Sequence, residues 1–143
     1  MMVNVIELLN DKIRCLETFQ AINENELVNM ANGDFDGVEA FYEAREQLLR
    51  LIAEGDQKLG VFAEQESGGE WLPSTSDREE VSRLLSKKDE LVQQILAQDL
   101  RILSYIEAEK NEVIRSLQEV KRAKRAMGAY RGQVDDGLID EKA

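Results

Sequence analysis

The chain has 143 residues, a natural size for one domain, with 33% charged and 43% apolar residues, one proline, nine glycines and 6% aromatics. That is too apolar for wholesale disorder and too charged and turn-poor for a round globule, so long uninterrupted helices are expected. The formal charge of −11 is uneven: residues 1–120 hold 12 Lys/Arg against 25 Asp/Glu, an acidic body that disfavours general nucleic-acid binding, whereas residues 121–131 hold five Lys/Arg and no acid.

The first helix is expected from about Val3 to about Met30. Ile6, Leu9, Ile13 and Leu16 step by three and four and so share one face. Phe19, Ile22, Leu27 and Met30 continue it, but Asn23-Glu24-Asn25-Glu26 weakens the stripe and predicts a bend or fraying there. Asn32-Gly33-Asp34 is a stop-and-turn: glycine suits the left-handed position after a helix, and Asp34 can cap the next one.

The second helix is expected from about Phe35 to about Glu66. Its seam is Val38, Phe41, Arg45, Leu48, Ile52, Gly55, Leu59 and Phe62, on alternating steps of three and four. A loop over 67–76 follows, with Trp71 and Leu72 expected to pack it down.

The third helix is the longest, expected over 77–131. Ser76-Asp77-Arg78-Glu79 has capping-box spacing. Leu85, Val92, Asp99, Ile106, Val113, Val120 and Met127 recur at intervals of seven, and Ile95, Ile102 and Leu117 supply much of a second seam. Asp99 has two readings, register drift of a straight helix or a polar contact that fixes register. The basic strip Lys121, Arg122, Lys124, Arg125 and Arg131 also has two: a cationic last turn, or a surface for a phosphate or an acidic protein. Residues 132–143 have little to bury and read as a disordered acidic tail.

Together these predict an all-α, antiparallel three-helix, coiled-coil-like bundle in a single domain, 1–131, with a very long C-terminal helix. The second helix covers about 45 Å and the third ~80 Å if straight. Antiparallel pairing therefore occupies the third helix only to about Lys110. Val113, Ile114, Leu117, Val120, Ala123, Met127 and Tyr130 are left as an apolar stripe in need of a partner. Three solutions fit: self-association, a fold-back near residues 109–112, or a helix received from another protein.

Chemistry is sparse. There is no histidine, which removes the commonest general base and most zinc sites. Cys15 is alone and sits among apolar positions, so it reads as a small core residue. Gly68-Gly69 lacks the lysine and hydroxyl of a phosphate loop, and Asp34 and Asp36 miss calcium-loop spacing. No catalytic residue, metal ligand or cofactor is expected, and the chain reads as a non-enzyme. The start lacks the basic region of a signal peptide, no stretch approaches the ~20 apolar residues of a membrane span, and a cytoplasmic home is expected.

The segment NGDFDGVEAFYEAREQLLRLI, followed by a very long helix ending LQEVKRAKRAMGAYR, resembles the FlgN/FliT-type flagellar export chaperones. The likeness covers most of residues 1–131 in architecture. It rests on Gly33-Asp34 leading into Arg45-Glu46 and Leu48-Leu49, and on the ending Lys124-Arg125-Ala126-Met127-Gly128-Ala129-Tyr130. The 67–75 loop and acidic tail depart from the family pattern. The resemblance implies a cytosolic chaperone that binds C-terminal amphipathic helices of export substrates, hook–filament junction proteins or the filament cap protein, and prevents premature assembly. It places client binding on residues 113–127 and docking to the export apparatus on Tyr130. The alternative is a self-associating structural coiled coil.

Overall fold

The computed structural model describes residues 5–65 and 74–138, with side chains over 5–61 and 74–130. Three helices follow one another: α1 Val5–Ala31, α2 Val38–Gln65 and α3 Thr75–Leu138. The all-α class and the long C-terminal helix match the sequence expectation. The expected packing of Trp71 and Leu72, the glycines at 68 and 69, the seam position Phe62 and the tail beyond 138 lie outside the described residues or side chains.

Local chemistry sets each boundary. α1 ends in a Schellman motif: Asp34 N–H donates to the Asn29 carbonyl at 2.9 Å and Gly33 N–H to the Met30 carbonyl at 3.0 Å. Gly33 takes φ 79° there, a conformation that costs a residue with a Cβ about 1–2 kcal/mol. Asp34 does not cap α2 directly. Its Oδ1 accepts from Asp36 N–H at 3.0 Å, an Asx turn, and the first helical bond runs from Phe41 N–H to the Gly37 carbonyl. The cap of α3 is Ser74 rather than Ser76: Ser74 Oγ accepts from Asp77 N–H at 3.1 Å and its carbonyl accepts from Arg78 N–H. At the other end α3 passes the expected stop at Arg131 and runs to Leu138. The single Gly132 costs about 1 kcal/mol against alanine, which need not end a helix.

The chain divides into two compact units, residues 1–103 and 104–143. In the first, α1 is the most enclosed element, burying Val5, Leu8, Leu9, Ile13, Leu16, Phe19, Leu27 and Met30. α1 and α2 are antiparallel: Lys12 pairs with Asp56 at 2.8 Å, while Phe19 stacks with Arg45 farther along. α1 and α3 run in the same direction, since Glu17 faces Lys87 at 3.6 Å and Asn23 faces Gln98 at 3.3 Å. The core joins Val5, Leu9, Ile13, Leu16 and Phe19 to Val81, Leu84, Leu91 and Ile95, with Leu48, Ile52 and Leu59 half-buried against it. Each large side chain of this kind contributes roughly 1.5–3 kcal/mol when fully buried.

The α2 seam lies where its periodicity placed it, with Phe41 buried and Val38, Arg45, Leu48, Ile52, Gly55 and Leu59 half-buried. The α3 seam does so only in part: Ile95 and Ile102 are buried as expected and Val92, Asp99 and Ile106 are half-buried, but the leading position differs. Leu84 is 1% exposed and Leu85 41%, so the core register is Val81, Leu84, Leu91, Ile95, Gln98 and Ile102. The interval-of-seven register containing Leu85 is rotated by about 100° from it. α1 selects between them, because its apolar face meets the first register. The expected fraying at Asn23 is absent: α1 is continuous, and Asn23 is fully buried.

Candidate functional site

In the second unit, every side chain from 110 to 130 is exposed. The apolar residues among them are large: Val113, Ile114, Leu117, Val120 and Met127 are each 43–56% exposed, and Tyr130 is 68% exposed. Helix geometry decides which of them act together. Val113, Ile114 and Val120 lie within about 60° of Leu117, and Met127 at about 80°. Ala123 falls about 120° away and Tyr130 about 140°, so neither shares the face. The same geometry puts Lys110, Lys121 and Lys124 within about 40° of Leu117, inside the stripe rather than beside it.

Charge on this segment is segregated. Arg115 Nη1 donates to Glu112 Oε2 at 3.2 Å along the helix. Lys110, Lys121, Arg122, Lys124 and Arg125 form no ion pair with a described residue. Gln118, Lys121, Arg122 and Arg125 line a shallow depression of about 200 Å³. The segment therefore offers a short apolar patch that ends in an unneutralised cationic one.

A second feature, in the first unit, is one that sequence reading only partly anticipated. Asn23 Nδ2 donates to Gln98 Oε1 at 3.3 Å and to Asp99 Oδ1 at 3.2 Å. Arg45 Nη2 donates to Asp99 Oδ2 at 3.2 Å, with its guanidinium carbon 4.8 Å from the Phe19 ring centroid and 5.2 Å from that of Phe41. Gln98 Nε2 donates to the Gln20 carbonyl at 3.2 Å and to Glu24 Oε2 at 3.3 Å. Of the two readings of Asp99, the polar contact is the one present. The available signal was three polar residues, Arg45, Gln98 and Asp99, at seam or near-seam positions of two helices. This layer ties all three helices at one level and leaves Asn23 Oδ1 without a hydrogen-bond partner.

Elsewhere the described residues offer little chemistry. Glu26 is buried beside the first turn of α2, its Oε2 3.6 Å from where a Gly37 Cβ would stand. Cys15 is half-buried and lines an open groove of about 330 Å³ with Leu8, Lys12, Leu51 and Ile52. No group of three or more potential metal ligands occurs among the described residues, and none of their helices is long and apolar enough to cross a membrane. The Glu80 carboxyl is held below its ordinary value by the hydrogen bond from Arg83 and by that residue's charge, and Arg83 is raised in return. Both lie at the surface, so the shift marks a local pair and not a site. In comparison with known proteins, the chain matches no family model, no curated protein and no solved structure.

Proposed function

We propose that this chain is a chaperone that holds the C-terminal amphipathic helix of a flagellar export substrate, of the hook–filament junction type, and keeps it from assembling before secretion. The observation that carries this reading is the exposed patch of Val113, Ile114, Leu117 and Val120 on a continuous helix. Covering such half-exposed side chains contributes on the order of 1–2 kcal/mol each, enough for a reversible hold on a partner helix. The resemblance to FlgN/FliT-type chaperones supplies the client class, a cytoplasmic setting and the role of Tyr130 as a contact for the export apparatus. Tyr130 points away from the apolar face by helix geometry, which is compatible with a separate docking contact. Met127 extends the patch with an adaptable side chain.

The test is binding of purified C-terminal segments of hook–filament junction proteins to the full chain and to Leu117→Asp/Val120→Asp. The parent chain binds at least one segment and the double variant loses at least ten-fold in affinity. Failure of the parent chain to bind any segment overturns the proposal. A second reading, a self-associating coiled coil, draws on the seven-residue interval of Val113, Val120 and Met127. It requires a dimer by sedimentation across the micromolar range, which the same double variant dissociates.

A further inference from the structure

Resting on that reading, we infer that the helix accepted by residues 110–127 is acidic as well as amphipathic, and that Lys121, Lys124 and Arg125 select it. The argument starts from where the cations stand. Lys110, Lys121 and Lys124 occupy the apolar face itself, within about 40° of Leu117. Arg125 and Lys121 border the depression beside it, with Gln118 and Arg122. None of these five cations forms an ion pair with a described residue, whereas Arg115 on the far side has Glu112. A helix laid along Val113, Leu117 and Val120 brings its next turns over Lys121 and Lys124. Apolar residues there would bury lysine against hydrocarbon, which is costly; carboxylates there would pair with it.

Two other occupants fit less well. A second copy of this chain, paired antiparallel, meets the same difficulty in two neighbouring registers. In one, Lys110 meets Val120 and Lys124 meets Ile106; in the other, Lys110 meets Met127 and Lys124 meets Val113. Both set lysines against apolar side chains, and parallel pairing sets Lys121 and Lys124 against their own copies. A membrane surface prefers its cations on the polar face of a helix, not in the middle of the apolar one.

The experiment uses the full chain and two synthetic helical peptides with the same leucine seam. One carries glutamates in the turns that follow the seam, and the other carries lysines there. At low salt the acidic peptide binds about ten-fold more tightly, the size that three exposed ion pairs supply together, and the advantage shrinks as salt screens it. The triple variant Lys121→Glu/Lys124→Glu/Arg125→Glu reverses the preference. These positions are exposed, and unchanged helical circular dichroism of the variant checks that it folds. Equal binding of the two peptides, or a preference untouched by the triple variant, overturns the inference. If junction-protein segments bind but neither peptide does, the charge assignment falls and the client reading stands. If no helix binds at all, both fall. A dimer by sedimentation that the triple variant dissociates, or capture by phosphatidylserine vesicles in place of the acidic peptide, also overturns it by naming another occupant.

Discussion

Arg45 and Asp99 meet across α2 and α3 at 3.2 Å, each side chain largely shielded from solvent and the guanidinium stacked over Phe19. A charge pair in this setting is held as much by its surroundings as by its own attraction. Asp99 also accepts from Asn23, so one carboxylate links all three helices. Its position therefore selects a longitudinal register that leucines alone would leave free to slide.

Removing one partner leaves the other shielded and uncompensated. Asp99→Ala is expected to destabilise the fold by about 1.5–3 kcal/mol in urea unfolding. Arg45→Ala should cost a similar amount, part of it through lost packing on Phe19 and Phe41. In a double-mutant cycle the two losses should be non-additive by about 1 kcal/mol. Strict additivity would mean the contact carries no energy of its own.

The register of α3 is testable by neighbours. Leu84→Ala opens a cavity in the core and should cost about 2–5 kcal/mol, whereas Leu85→Ala should stay within about 1 kcal/mol. Equal losses at the two positions would contradict the core register described above.

The helix boundaries make a third pair of measurements. Gly33→Ala forces a Cβ into a left-handed backbone and should lower stability by about 1–2 kcal/mol, although space around it is open. Ser74→Ala removes the acceptor for Asp77 N–H and should cost about 1 kcal/mol, while Ser76→Ala should leave unfolding unchanged.

Glu80 supplies a prediction in pH. Its carboxyl is held below the ordinary value by Arg83, so any stability it contributes is present above the unfolded carboxylate value and disappears as pH falls through the folded one. The pair lies at the surface, so salt screens its effect on folding. A carboxyl-detected NMR titration should find Glu80 below an ordinary glutamate, and Arg83→Ala should return it to the ordinary range.

Much of this protein was determined locally by its sequence. The α2 seam from Val38 to Leu59 is a single apolar register, and periodicity places it without help from its neighbours. The turn at Gly33 is equally legible, because the end of a helix depends on a few adjacent residues. Helix lengths indicate that the apolar stripe beyond about Lys110 outruns α2, while the exposure of residues 110–130 on an unbroken helix is seen only in the structure. α3 is different because its apolar residues come in doublets: Leu84-Leu85, Leu91-Val92, Ile95-Leu96 and Ile102-Leu103. Two registers about 100° apart have the same period, so no count of intervals can choose between them. The face of α1 makes the choice, burying the first residue of each doublet and leaving the second half-buried or exposed. The polar layer was hidden for the same reason. Asn23 looks like a break in a stripe until Gln98 and Asp99, 75 and 76 residues away, arrive to satisfy it. Propensity and period act over a turn or two of chain, while register and polar satisfaction exist only once separate helices meet.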